Sequence, residues 1–456
     1  MKNIRHSTSR RDFLKLMGVG SAALLLHACA PAGEQTTTSS DTSSAEETSA
    51  ESSEAVSSEA PSEDAAATLT IFDFGGEADQ RIYAEAHARF NEAYPNVTIA
   101  DNFTPVTTWS EYSNKIVTQV AGGQAPDIIN IAIEGTRLVV SKGLLVPLDD
   151  LVASDAGGQE LIDDVAEALI DAFRVDGKLW QIPHSWNNMV IYYNTKIFED
   201  AGIEPPPADW TWDDFLGIAQ QLTTGEGEDK VFGFGIPYFN FGLTPWLLTN
   251  STYQLSDDWT ESNLDDPKVI ESVTFVHDLV NVHGVSPDVQ GADNENLFSS
   301  GRLAMCGWGH WPIQTFLASD FKDFDVQYWP RNTAGTSVHG VGGWGISSES
   351  ANKELAWELI KELTSTETIQ ATADAGVAIP ARRSVAESES FLEFPPNSEI
   401  YYGSLDDSKP VASPANFNEL ETIIMRHYDE IMSGSATPEE GMLAAHEELA
   451  AALAKL

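Results

Sequence analysis

Apolar and polar side chains alternate through residues 68–74, the period of a strand with one buried face. Beyond it Ile82, Ala86 and Phe90 recur at helical spacing, so 77–94 reads as an amphipathic helix that Pro95 stops. Residues 97–103 form a second strand pattern, and the stretch Asp-Ile-Ile-Asn-Ile-Ala-Ile at 127–133 is apolar enough for a strand buried in a parallel sheet. Strand and helix patterns alternate in this way, which sets the fold class as α/β. At Thr211-Trp212-Asp213-Asp214 the Thr211 side chain can cap a helix while Asp214 reaches back to complete a capping box. Phe215, Ala219 and Leu222 then supply the buried face of that helix. Thr437-Pro438-Glu439-Glu440 repeats the device ahead of Met442, Ala445, Leu449 and Leu453. No internal repeat is present.

The N-terminal pattern is different. Ser9-Arg10-Arg11-Asp12-Phe13-Leu14-Lys15 precedes an apolar run at 17–26 that carries no charge, too short to span a bilayer, for which about 20 residues are needed. Two arginines ahead of such a run resemble a twin-arginine export signal, which carries a folded protein across the plasma membrane. Leu26 and Ala28 before Cys29 resemble a bacterial lipobox, with His27 departing from it. Residues 1–28 are therefore expected to be a cleaved signal and Cys29 a lipidated first residue, leaving the chain anchored at the outer face of the membrane, extracellular or periplasmic. From there to 67 the chain is Ser, Thr, Glu and Ala, which cannot bury enough surface to offset its ordering entropy; 29–67 reads as a disordered tether.

The remaining residues of the 456-residue chain suffice for two or three domains' worth of core. A formal net charge of −45 makes nucleic acid and anionic lipid surfaces improbable partners, so no nucleic acid is expected. The chain has two cysteines, and with Cys29 lipidated Cys306 has no partner, so it reads as a buried free thiol rather than part of a disulfide framework.

Several short motifs follow one another in a fixed order. They are Gly122-Gly123-Gln124-Ala125-Pro126-Asp127-Ile128, Asp176-Gly177-Lys178-Leu179-Trp180-Gln181-Ile182-Pro183, Tyr193-Asn194-Thr195-Lys196, Ala201-Gly202, Phe298-Ser299-Ser300-Gly301-Arg302, Gly342-Gly343-Trp344-Gly345-Ile346 and Ile379-Pro380. Each is weak alone. As an ordered set they resemble the extracellular solute-binding proteins of ABC importers, the broad family that includes maltose-binding protein and many carbohydrate-binding lipoproteins. The resemblance implies a two-lobed clamshell with discontinuous lobes joined by a hinge. It implies one lobe from 68–180 and 329–376 and a second from 181–328 and 377–456, with crossings near 180–183, 326–330 and 377–380. It further implies a monomeric, non-enzymatic receptor that captures a carbohydrate between the lobes and passes it to the membrane permease subunits of an ABC transporter.

A sugar presents hydroxyls that need paired donors and acceptors, and an apolar C–H face that packs on an aromatic ring. The chain has 12 tryptophans, several in Gly-rich turns. By resemblance Trp311, in Trp308-Gly309-His310-Trp311-Pro312, takes the position of an aromatic platform; packing at the lobe interface is the competing reading for it and for Trp308. Trp344 lies among glycines that let backbone approach a ligand. Glu134 follows the 127–133 strand at the sheet edge where open α/β folds bind ligands, and matches a family carboxylate position. Asn187, with Trp186 beside it, matches a second polar position where the family often has a carboxylate. Glu77 is a plausible contact that also complements a helix dipole. Trp246 and Trp109 are weaker candidates, with core packing as the alternative.

Gly340-Val341-Gly342-Gly343-Trp344-Gly345 formally fits a dinucleotide fingerprint, but sits outside any strand-to-helix unit with a downstream acid. No G-x-S-x-G, H-E-x-x-H or Walker loop occurs. Catalytic residues, a metal site and a cofactor are accordingly not expected. Two other functions stay open: the same fold binding a polyamine, chelate or organic acid, and an anchored glycoside hydrolase, since acids beside aromatics also suit glycosidic cleavage.

Overall fold

The structure is a computed structural model that describes Ser62, 66–104 and 108–456. The export signal, Cys29 and nearly all of the tether lie outside the described residues. In chain order the elements that matter for function begin with β1 (Ala67–Asp73), α1 (Glu77–Ala93), β2 (Val97–Phe103), α2 (Trp109–Ala121), β3 (Ile128–Ala132) and α3 (Ile133–Ser141). β4 (Ile182–Asn188), β5 (Val190–Asn194), α4 (Trp212–Leu222), β6 (Phe232–Gly235), α5 (Asn240–Leu248) and α6 (Pro267–Asn281) follow. Next come β7 (Leu303–Trp308), α7 (Pro312–Ala318), β8 (Phe324–Gln327), β9 (Ser337–Ile346), α8 (Lys353–Leu363) and α9 (Thr366–Asp374). The chain closes with β10 (Ile379–Pro380), β11 (Ser408–Pro410), α10 (Phe417–Met432) and α11 (Pro438–Leu453).

Two sheets organise the chain. The larger has the order β10-β4-β9-β3-β1-β2, with β11 beside the first half of β9. β1 runs parallel to β2 and β3, whereas β9 is antiparallel to β3 and β4, so β3 is buried in a mixed sheet rather than a purely parallel one. The smaller sheet has the order β8-β5-β7-β6. Every residue of β3 is buried, as a strand must be when helices cover both faces. Asp127, just ahead of β3, takes the Thr70 backbone N–H and hydroxyl at 2.8 Å each and the Ser350 hydroxyl at 2.6 Å, which ties β1, β3 and the end of β9 together. The Pro-Asp-Ile motif is thus explained by sheet assembly.

Both capping boxes form. Asp214 N–H donates to Thr211 Oγ1 at 3.2 Å and Thr211 N–H to Asp214 Oδ2 at 2.9 Å. Thr437 and Glu440 do the same at 3.2 and 3.1 Å. Phe215 and Trp212 then bury their rings against Trp246, Phe234 and Phe275, an aromatic core for the smaller sheet and its helices. Cys306, on β7, is a buried free thiol whose sulfur donates to Gly235 O at 3.1 Å, and burial holds the thiol well above its ordinary range.

Strand pairing places the first and third passages between sheets later than the resemblance implied. Residues 182–188 find partners in β9 before the chain leaves, so the first passage falls at Met189 rather than at 180–183. The second lies between Gln327 and Ser337. Ile379 and Pro380 pair with Trp186 and Ser185 in the larger sheet, and Arg382 pairs with Asp164 at 3.1 Å, so the third follows Ala386 rather than falling at 377–380. Phe391 already stacks on His310 of the smaller lobe, with ring centres 5.3 Å apart. β11 then rejoins the larger sheet before α10 and α11 return to pack against α6. Periodicity marks a strand but not its partner, so the crossings had only the resemblance to rest on.

Candidate functional site

β3 ends at Ala132 and α3 begins at once, which puts Glu134 in the first turn of a helix at the edge of the larger sheet. A carboxylate suits that position because the helix N-terminus is positive. Glu134 is nevertheless only 8% exposed and its Oε2 meets no partner. Burial, opposed by a backbone N–H of its own and reinforced by the nearby Glu421 carboxylate, pushes its pKa up to about 7. Gly340 on β9 faces it: a Cβ there would lie 3.7 Å from Glu134 Oε1 and 3.3 Å from the ring of Phe241 on α5. A larger residue at 340 would fill the space between the acid and the ring.

Asn187 on β4 pairs with Gly340, so it sits next along the same surface. Its Oδ1 accepts the His310 N–H at 2.8 Å and fixes the turn after β7. That turn is tight because Gly309 has no side chain; a Cβ would come within 2.2 Å of the Trp311 ring and 2.8 Å of Asn187 Oδ1. Trp311 folds over it, half-buried, and meets Phe239 edge-on with ring centres 6.0 Å apart. Glu134, Gly340, Phe241, Asn187 and Trp311 thus line one strip that runs from the larger lobe to the smaller.

The lobes touch across this strip. Ser110 on α2 donates to Glu421 Oε2 on α10, and Asn418 Nδ2 donates to Asn114 Oδ1 at 2.8 Å. Arg137, one turn after Glu134, lies 4.6 Å from the ring centre of Trp259, which hangs from the loop between α5 and α6. Groups from both sheets therefore close on the same space.

Four tryptophans expected at the site are in the core instead. Trp344 is fully buried on β9 between Tyr83 and His184, at 5.4 and 5.3 Å. Trp186 alternates with Asn187 to the opposite face of β4 and packs on Tyr402. Trp246 sits in the aromatic core against Trp212 and Trp329, and Trp308 packs on Tyr192 and Phe298. All four are 5% exposed or less, so they offer no face to a ligand in this conformation. Glu77 is exposed in the first turn of α1. Trp109 packs on Phe74 with tilted rings, centres 4.4 Å apart, at the start of α2 and next to Ser110. Sequence reasoning missed Phe239, Phe241 and Glu421. The first two flank Asn240 at a helix start outside any apolar period, and Glu421 adjoins the buried face set by Phe417, Leu420 and Ile424.

Residues 75–370 match the family described as bacterial extracellular solute-binding protein. The chain belongs to that family. A solute-binding protein of this kind acts outside the cytoplasm, and no helix among the described residues is long and apolar enough to cross a membrane. The arabinooligosaccharide-binding protein of Halalkalibacterium halodurans is 23% identical over 310 residues, 65% of this chain and 67% of that one. Among solved structures, the ABC substrate-binding protein Lmo0181 of Listeria monocytogenes in complex with cycloalternan matches with a TM-score of 0.77 at 25% identity, covering 86% of this chain and 100% of that one. The GacH receptor of Streptomyces glaucescens shares the fold, with a TM-score of 0.74 at 22% identity over 86% of this chain and 99% of that one. The α/β architecture is the two-lobed clamshell of these binding proteins.

Proposed function

We propose that this solute-binding protein captures an oligosaccharide between its lobes and delivers it to the membrane permease of an ABC transporter, without chemical turnover. The observation that carries this reading is the strip from Glu134 through Asn187 to Trp311. It joins acceptors for hydroxyl protons to the rings of Phe241 and Trp311, and it spans both lobes. Such a pairing of directional polar groups with aromatic faces is what a sugar ring requires. Lobe closure about Met189, the 327–337 segment and the segment after Ala386 would bury the ligand and present a closed form to the permease, a population shift between two arrangements. Hydrogen bonds between α2 and α10 supply contacts of the closed arrangement. The reading includes export, a monomer and a lipid at Cys29 holding the receptor beside its permease.

Titration calorimetry of purified protein against arabino-, malto- and chito-oligosaccharides tests it: at least one class should bind saturably. Chromatography of the same mixtures after long incubation should return the oligosaccharides intact; released shorter sugars would replace the receptor with a hydrolase that uses the Glu134 and Glu421 carboxyls.

A further inference from the structure

The peptide that joins Gly309 to His310 is held at both ends. Its N–H donates to Asn187 Oδ1 at 2.8 Å, and its carbonyl accepts the Tyr192 hydroxyl at 2.7 Å. A trans peptide is planar with its C=O and N–H on opposite sides, so two such bonds fix its rotation. Trp311 is the next residue, and the direction of its ring follows from that plane. The two partners belong to different sheets. Asn187 is paired in the larger one through β4 and Tyr192 in the smaller one through β5, with Met189 and the first passage between them.

Tyr192 is fully buried among Trp308, Phe316 and Phe324, where a phenylalanine would pack as well. Its hydroxyl is a polar group taken out of water, tolerated because it is bonded. The Tyr192 proton is committed to Gly309, so the Tyr401 hydroxyl, 2.6 Å away, donates to Tyr192 in turn. Tyr401 O accepts Asn188 Nδ2 at 3.0 Å, which leads the chain of bonds back to the end of β4. Burial pushes both phenol pKa values up, so both groups remain donors.

We propose that Tyr192 is a positioning residue for ligand capture: with Asn187 it grips the Gly309–His310 peptide from either side of the first passage, so that rotation of the lobes at Met189 and the set of the Trp311 ring are coupled. This rests on the oligosaccharide reading and adds to it how lobe movement reaches the aromatic platform.

Two measurements test it. In calorimetry with arabinotriose, maltotriose and chitotriose, Tyr192→Phe should weaken the tightest of them about tenfold, because the Gly309 carbonyl loses its donor. In a Trp311→Ala background the same change should alter affinity by less than about twofold, since the ring it acts through is gone. Fluorine NMR of the sugar-free protein labelled with fluorotryptophan reads the platform directly. The Trp311 signal, identified by its loss in Trp311→Phe, should shift or broaden in Tyr192→Phe while most other indole signals keep their place. If Tyr192→Phe does not fold, Tyr401→Phe, which removes only the hydroxyl behind it, should show the same pattern at about threefold. An unmoved Trp311 signal, or an equal loss of affinity with and without the Trp311 ring, overturns the positioning role. Binding of none of the three sugars by the parent protein overturns the oligosaccharide reading instead, and the fluorine signal still decides whether Tyr192 sets the ring.

Discussion

Replacing Glu134 by Gln removes a buried titratable group and keeps nearly the same volume, so the pH dependence of its effect on stability reports the electrostatics of the site. The Glu134 carboxyl titrates at about 7 in the folded protein against 4.5 for an ordinary glutamate, first because it is desolvated and further because Glu421 is near. Between those pH values the folded state holds a proton that the unfolded state has lost. The stability this group contributes is therefore fully present below 4.5 and is lost as pH rises through about 7. The gap corresponds to on the order of 3 kcal/mol against the ionised form. A neutral Gln escapes that loss. Urea denaturation of unliganded Glu134→Gln and the parent at about pH 5 and pH 8 should give similar midpoints at the lower pH. At the higher pH the variant should be more stable by up to roughly 3 kcal/mol. The buried Asp73 and the half-buried Asp101 also have raised pKa values, the latter near 7, but they are present in both proteins and cancel in the difference. An identical stability difference at both pH values would sink the argument, because it would mean that Glu134 is ionised and solvated in the folded state.

Trp311→Ala should weaken oligosaccharide binding by at least about 1 kcal/mol in calorimetry, with little change in melting temperature. Trp344→Ala should do the opposite first: a fully buried indole lost from the larger sheet costs about 3–5 kcal/mol of stability, read by urea denaturation. Asn187→Ala removes the acceptor for His310 N–H and frees the turn that seats Trp311, so affinity should fall without loss of the secondary structure seen by circular dichroism. The Cys306 thiol, buried and with a raised pKa, should resist a thiol-reactive dye in native buffer and react promptly in urea; fast native labelling would contradict the packing of β7.

Elements whose signal is local were legible in the chain. The Thr211 and Thr437 capping boxes depend on residues three apart, and the 97–103 strand was placed to the residue. Glu134 was a candidate because it follows a recognisable strand and matches a family position, and Asn187 because it matches another; the structure sets both on one surface. The tryptophans show where such reasoning stops. Glycines around Trp344 suggested a backbone opened to a ligand, yet a Cβ at Gly343 would come within 2.5 Å of the Phe173 ring. That glycine makes room for a core side chain contributed from far away in sequence. A local pattern reports that space is needed, not what fills it. Phe241 and Glu421 were hidden for the same reason. They become neighbours of Glu134 only when α5 and α10, separated by most of the smaller lobe's chain, are brought against the larger one.

The short return of Ser408–Pro410 to the larger sheet has a consequence for how the protein is made. Its sheet draws its first strand from residue 67 and its last from residue 410, and α10 and α11 complete the smaller lobe only afterwards. Neither sheet with its helices is contiguous, so a nascent chain still on the ribosome lacks β11 for the start of β9, and α10 and α11 for the α5–α6 pair, until synthesis is almost finished. Such long-range closure is slow and exposes unpaired strands meanwhile. Translation must therefore be nearly complete before either half can become native, and a truncation just short of β11 should yield an aggregating product rather than a single folded lobe.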